Sequence, residues 1–342
     1  MQLDSVRELK SSLRGLVQER FSQPAMARAA GVAVARAVAA DTARSGYALG
    51  VTHSKAKGYR LAVRLQTRAL EKSDLVEFLH SRSRGEMEVR YIGRITPGAK
   101  ASKKAAVGYR TRTRPLMIGC SCGFAAADFV MAGTLGCFVR KGTSGPVMIL
   151  SNNHVLANEN SLALKSPIFQ PGLLDGGKRP GDKVATLTKF VRLTPRPTRN
   201  AADCAVATLV RGIQYDPTTI PGVGTLVGVA PELPGIGDVV HKAGRTTGTT
   251  HGKVTAFELD GVTVGYDFGA AVFDDQLEIE GSGNAAFSDS GDSGSMIVDE
   301  EMRATGLLFA GSDHGGSNDA GLTYANPFGV VLKKLGVRLV LA

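Results

Sequence analysis

The sequence has no tryptophan, only four cysteines and no long apolar run. Cys120, Cys122, Cys137 and Cys204 are too few in 342 residues to staple a small disulfide scaffold, so reduced thiols and an ordinary core are expected. Cys120-Ser121-Cys122 is too tight for a zinc site, and no second Cys or His pair stands at ligand spacing, so no metal is expected. No stretch reaches the ~18 apolar residues of a membrane span. The longest candidate, from Ala25 to Ala43, is interrupted by Arg28, Arg36 and Asp41. The first residues place Asp4, Glu8 and Lys10 among spaced leucines and lack the basic start, apolar middle and small-residue cleavage site of a secretory signal. A cytoplasmic protein is expected. Phosphate-loop and dinucleotide signatures are absent as well, and no cofactor is expected.

The hydrophobic share of 43% is that of a globular protein, and the length allows two domains or a two-barrel domain with an added piece. Charge is divided unevenly. Residues 1–115 carry 23 Lys/Arg against 9 Asp/Glu, whereas 116–342 carry 18 against 22. The basic part is expected to dock on the acidic part or to remain solvated; binding of nucleic acid or an acidic partner is the alternative.

Leu3, Val6, Leu9, Leu13, Leu16 and Val17 recur at helical spacing and predict an amphipathic helix. A second helix is expected from the Ser22 cap, with early Pro24, through the alanines to about Gly46. These helices form a segment over 1–46. Residues 47–95 read as a small α+β unit: alternating Tyr59, Leu61, Val63 and Leu65, a helix over 74–81, and a strand over 88–95. The stretch 96–115 has basic residues and no apolar period, and is expected to be a linker. Beyond it, 116–342 reads almost entirely as short strands broken by Gly, Pro, Asn and Asp, the pattern of an antiparallel barrel or sandwich. Residues 135–140 and 147–150 suggest a hairpin, and a helix returns over 327–335.

Two motifs carry chemistry. Gly291-Asp292-Ser293-Gly294-Ser295 frames one serine with glycines, which exposes Oγ and lets the N–H groups of Gly291 and Ser293 converge on an oxyanion. Ser151-Asn152-Asn153-His154 offers an imidazole as the base a serine hydroxyl needs. Between them, Asp203 opens Asp203-Cys204-Ala205-Val206-Ala207, where a carboxylate entering an apolar strand can be buried to orient the imidazole. Asp175 and Asp182 are weaker candidates in glycine-rich loops. The order Ser293, Asp299, His314 mimics an α/β-hydrolase, but Ser295 stands where that fold has glycine.

The blocks "LSNNHVLA" at 150–157, "DCAVA" at 203–207 and "SGDSGS" at 290–295 resemble the His, Asp and Ser blocks of the trypsin-like, chymotrypsin-fold serine proteases. The resemblance covers 116–342. The first block and "GTLGCFVR" at 133–140 look most like intracellular bacterial members and the related plant narrow-leaf-type proteins, in which a small α+β segment often precedes the protease. The resemblance implies an all-β double-barrel protease domain with its site in the crevice. It also implies a serine endopeptidase acting on protein or peptide substrates. Catalytic residues would be His154, Asp203 and Ser293, with substrate pairing along Phe309, Ala310 and Gly311. Val155 follows the histidine and no cysteine lies beyond Cys204, so the bridges common around such sites are excluded.

"GRTTGTTHGKVTA" at 244–256 resembles the equivalent stretch of the α-lytic and streptogrisin proteases, and implies that Arg245 pairs with Asp292 to order the oxyanion loop in place of a freed N-terminus. Cleavage ahead of Ile118-Gly119 is the competing activation scheme. Phe287 stands where trypsin has its pocket aspartate, so a Lys/Arg preference is not expected, and Phe309 stands where relatives carry a serine supporting the catalytic aspartate. Regulation, or recruitment of a partner protein, by the N-terminal region is expected. The alternative from another class is a silent protease-fold binding protein with a nucleic-acid-binding N-terminus.

Overall fold

A computed structural model describes residues 1–22, 46–53, 58–97, 108–126 and 129–341. The second expected helix lies outside these residues over 23–45, as does the first half of the linker over 98–107. Helix α1 (Leu3–Ser22) turns Val6, Leu13 and Val17 inward. Strands β1 (Tyr47–His53) and β2 (Tyr59–Leu65) pair antiparallel, and α2 (Asp74–Arg82) carries the chain to β3 (Met87–Tyr91), parallel to β2. Leu75 and Leu79 of α2 and Leu61, Val63 and Leu65 of β2 close a small core with α1. A two-residue strand, β4 (Ile95–Thr96), follows.

The first barrel is built from β5 (Ser121–Phe124), β6 (Gly133–Thr134), β7 (Cys137–Arg140), β8 (Val147–Ser151), β9 (Pro167–Phe169), β10 (Lys183–Phe190) and, after β11 (Arg199–Asn200), β12 (Ala205–Leu209). Its sheet runs β7-β8-β12-β10-β9-β5-β6. Because β6 and β7 are successive pieces of one stretch, the sheet curls back on itself. Short helix α3 (Asn153–Leu156) leaves β8. Phe124, Phe138 and Leu150 fill this core together with all four cysteines, which are buried and unpaired. Burial pushes the Cys120 thiol up to about 12, away from reactivity.

Short strands β13 (Thr219–Ile220), β14 (Gly224–Thr225) and β15 (Gly228–Val229) lead to the second barrel. Its strands are β16 (Val239–Gly244), β17 (Gly248–Asp260), β20 (Gln276–Gly281), β21 (Met296–Asp299), β22 (Arg303–Ser312) and β23 (Leu322–Pro327), with hairpin β18 (Val262–Tyr266) and β19 (Gly269–Phe273) inserted. Pairings in the order β16-β17-β20-β23-β22-β21-β16 close a ring. Helix α4 (Phe328–Leu335) and β24 (Arg338–Leu339) return the chain to β7. The architecture is the double barrel of the chymotrypsin-like fold, preceded by a small α+β segment.

That segment does not stand apart from the barrel behind it. The far end of β17 pairs with β1, Val51 opposite Phe257 and Leu49 opposite Asp260, so β1, β2 and β3 extend the sheet of the second barrel. Part of the charge asymmetry is met at this seam. Arg7 meets Glu258 at 2.6 Å, Lys10 meets Asp260 at 3.1 Å and Arg14 meets Asp274 at 2.6 Å. Arg64 donates to Glu278 at 2.8 Å with neither side chain exposed. The described half of the linker is docked too: Arg112 meets Asp182 at 2.9 Å, and the Tyr109 hydroxyl donates to the Pro221 carbonyl at 3.0 Å.

Candidate active site

β8 and β12 are neighbours with Ser151 opposite Ala205, so the residues just beyond Ser151 and just before Ala205 must meet. His154 leaves on α3, and Asp203 waits at the entry to β12. Asp203 is fully buried. Its Oδ1 accepts the N–H groups of Asn153 at 2.6 Å and His154 at 3.3 Å, while Oδ2 accepts His154 Nδ1 at 2.6 Å and the Tyr266 hydroxyl at 2.7 Å. The Asp203 N–H donates to Asn326 Oδ1, and Asn152 Nδ2 donates to the Asp203 carbonyl. A carboxylate only accepts, so Nδ1 of His154 carries the proton and Nε2 of the neutral ring keeps its lone pair.

Tyr266 was not singled out from the sequence. It ends β18, a strand with no catalytic signature, and it gives Asp203 a hydroxyl of the kind that the resemblance to trypsin-like proteases would put at 309. Phe309 is instead core, with its ring 4.8 Å from that of Phe273. Burial and then the neighbouring Asp203 charge raise the Tyr266 phenol well above its usual range, which keeps it a donor.

The serine loop is fixed around Asp292. Its Oδ1 accepts the N–H groups of Thr246 at 2.8 Å and Thr247 at 3.1 Å; its Oδ2 accepts the Thr247 hydroxyl at 2.7 Å and the Asp289 N–H at 3.0 Å. The cation beside it is Lys242, at 3.4 Å, with both side chains fully buried. This corrects the expected Arg245–Asp292 pair. The Arg245 fork grips Asp175 instead, at 2.6 and 2.7 Å, and Asp175 also accepts the Ser121 hydroxyl at 2.6 Å. Arg245 thus ties the second barrel to a loop of the first. The two weaker aspartate candidates are accounted for in the same way, Asp175 by Arg245 and Asp182 by Arg112.

Gly291 has φ +95°, and a β-carbon there would collide with Arg245 Nη1 and Thr246 Oγ1; one at Gly294, φ +94°, would collide with Ser151 Oγ and the Thr134 carbonyl. Only glycine fits either place. The N–H groups of Asp292, Gly294 and Ser295 donate to Asp289, Leu308 and Asp292 carbonyls. Those of Gly291 and Ser293 have no protein acceptor among the described residues. The Ser293 carbonyl accepts the Thr134 N–H at 2.8 Å. Gly133 brings the two motifs together, since a β-carbon on it would lie 2.6 Å from Val155 Cγ2 and 2.9 Å from the Ser293 carbonyl oxygen. Among the described residues no hydrogen bond joins the Ser293 hydroxyl to His154.

Phe309, Ala310 and Gly311 lie in β22, with Ala310 opposite Tyr324 and Gly311 opposite Thr323. The other side of Gly311 faces Thr96 of the chain itself. Phe287 is buried beside Lys242, whose Nζ sits 5.7 Å from the ring centroid. No group of three or more His, Cys, Asp or Glu able to hold a metal occurs among the described residues, and no helix there is long and apolar enough to cross a membrane.

No family model and no curated protein matches the sequence. Solved structures similar to it are serine proteases of the trypsin and chymotrypsin fold. One is protease A of Thermobifida fusca, 17% identical, covering 66% of this chain and 99% of that one with a TM-score of 0.45. A Nocardiopsis protease is also 17% identical over 66% and 99%, with a TM-score of 0.46. A glutamic acid specific serine protease that uses a histidine triad in substrate binding is 21% identical over 66% and 100%, with a TM-score of 0.46.

Proposed function

We propose that this protein is a serine endopeptidase that hydrolyses peptide bonds through an acyl-enzyme. Ser293 is the nucleophile, His154 the general base and then acid, and Asp203 the carboxylate that fixes the imidazole. The single observation that carries this reading is the buried 2.6 Å bond from His154 Nδ1 to an Asp203 whose other contacts are also donors. It leaves Nε2 as the proton acceptor.

With substrate bound, the Ser293 hydroxyl turns onto Nε2, a contact that often tightens only in the complex. Oγ attacks the carbonyl carbon as its proton passes to Nε2, and Asp203 stabilises the resulting imidazolium. The carbonyl oxygen becomes an oxyanion between the N–H groups of Gly291 and Ser293, which have no protein acceptor among the described residues. The proton then moves from imidazolium to the leaving amine, the peptide bond breaks, and water repeats the sequence on the acyl-enzyme. Lys242 and Asp292 hold the oxyanion loop in shape without a newly cut N-terminus. No cofactor enters these steps.

The unpaired thiols fit a reducing compartment, the cytoplasm, and the intracellular bacterial and plant narrow-leaf-type proteases remain the relatives we propose. The pairing of β1 with β17 of the second barrel supports a regulatory role for the N-terminal region. Its Arg7, Lys10, Arg14 and Arg64 are engaged with Glu258, Asp260, Asp274 and Glu278, which favours docking over nucleic-acid binding. Turnover of unfolded protein by the full chain tests the function. Ser293→Ala is expected to lower kcat by ~10⁴–10⁶-fold, and undiminished cleavage by that variant would end the proposal.

A further inference from the structure

The edge of β22 that a peptide substrate would join is already taken. β4 pairs with it antiparallel, Ile95 opposite Ser312 and Thr96 opposite Gly311. The Asp313 N–H donates to the Arg94 carbonyl at 3.0 Å, and alternation along an antiparallel ladder then makes Thr96 and Gly311 the hydrogen-bonded pair. On its other side β4 lies parallel to β18, Ile95 beside Val264, two residues before the Tyr266 that holds Asp203. Ile95 and Ile92 are buried in one cluster with Tyr266, Ala310 and Tyr324.

Direction matters as much as position. Leu308 exchanges backbone hydrogen bonds with the serine loop, accepting from the Gly294 N–H at 2.9 Å and donating to the Ser295 carbonyl at 3.0 Å. Leu308 therefore marks the nucleophile end of β22. Because β4 runs antiparallel, it travels from Ser312 towards that end, the sense in which a substrate must run to bring its carbonyl to Ser293.

The geometry points to β4 as a resident surrogate for the substrate strand. The slot between β18 and β22 is a site for an extended peptide that carries a branched apolar residue where Ile95 sits, four residues before the bond to be cut. A productive substrate displaces β4 to use it. This inference rests on the peptidase reading and names the substrate class of that site: extended segments able to outcompete Ile95-Thr96, with shorter acyl groups reacting without displacing it. A site that binds only when its own strand has left shows an apparent affinity lowered by the fraction of time it is vacant.

The test uses the full chain and two 4-nitrophenyl esters with the same reacting residue, acetyl-Leu and acetyl-Ile-Ala-Ala-Leu. For the unaltered protein kcat/KM is expected to be similar for both, because the added residues find the slot filled. Thr96→Pro removes the N–H that pairs with Gly311, and is expected to raise kcat/KM for the longer ester roughly tenfold while leaving the shorter one unchanged. A preference for the longer ester already present in the unaltered chain and untouched by Thr96→Pro would overturn the inference. Amide hydrogen exchange on the unaltered chain gives a reading that needs no variant. Inhibition by acetyl-Ile-Ala-Ala-boroLeu should release protection across 92–96 and at Asp313, and retained protection in the inhibited protein contradicts displacement. Turnover of the short ester through Ser293 separates this failure from that of the peptidase reading, which falls only if Ser293 is never acylated.

Discussion

Asp203 and Glu278 are both carboxylates without exposed surface, yet they are buried in opposite ways. Glu278 joins the N-terminal segment to the second barrel and sits against the Arg64 guanidinium, with the Thr255 hydroxyl at 2.8 Å and the Tyr324 hydroxyl at 3.3 Å. Burial pushes its pKa up, but Arg64, together with the Thr255 hydroxyl and Arg90, outweighs burial and holds it below the ordinary range. Asp203, at the crevice, has two backbone N–H groups, an imidazole and a phenol, and among the described residues no lysine or arginine is bonded to it. A fixed cation locks a charge in place. Neutral donors orient Asp203 and leave its field available for the imidazolium of the proposed reaction. Asp292 stands between the two cases, with four neutral donors and the Lys242 ammonium.

Breaking the locked pair should cost the most stability. Arg64→Met strands the Glu278 charge and is expected to lower unfolding stability by about 3–5 kcal/mol, whereas Arg64→Met combined with Glu278→Leu recovers most of it. Denaturant unfolding of both variants checks this. Because the Glu278 pKa is depressed, its contribution is present above the ordinary Glu range and is lost only as pH falls through the lower folded value.

At the intermediate case, Lys242→Met is expected to reduce kcat by ~10²–10³-fold, the scale of losing one oxyanion donor. Arg245→Ala should weaken the Asp175 tie between the barrels with a smaller effect on turnover. Burial lowers the Lys242 pKa against the pull of Asp292, so the ammonium gives up its proton and leaves Asp292 without its counter-charge at a pH below the ordinary lysine value of 10.5. Activity should therefore fall early on the alkaline limb of a pH profile. The Lys242 contribution to stability moves the other way across that window, rising with pH because the unfolded chain holds the extra proton.

The mildest change sharpens the neutral case. Tyr266→Phe removes one of four donors to Asp203 and is expected to lower kcat by about tenfold, the worth of one hydrogen bond to a charged group, with KM unchanged. Steady-state kinetics of that variant on one peptide decides it.

The sequence was legible where chemistry demands particular residues at particular neighbours. The Gly-flanked Ser293, His154 and Asp203 at a strand entry could be proposed from the sequence because few other residue types serve those ends, and the structure brings His154 against Asp203 at 2.6 Å. The four thiols were legible from their scarcity. Lys242 left a fainter trace: it shares a face of β16 with Val240, the two buried where Val239 and His241 are half-exposed, and an inward lysine in a strand needs a partner. Arg245 was chosen from a motif, and the motif does not record that Asp175 comes closer. Tyr266 and the pairing of β1 with β17 were beyond reach, because registers between strands some 200 residues apart have no local signature. For the same reason a basic segment that read as a separate unit is seen to share its sheet and ion pairs with the second barrel, while Arg112 of the expected linker pairs with Asp182 of the first.

The most direct test of the triad is covalent labelling of the full chain with a fluorophosphonate, read by mass spectrometry of the modified peptide. The account predicts one adduct, on Ser293, formed at a rate that collapses in His154→Ala. A protein that takes no label on Ser293, or takes it equally fast without His154, would contradict it.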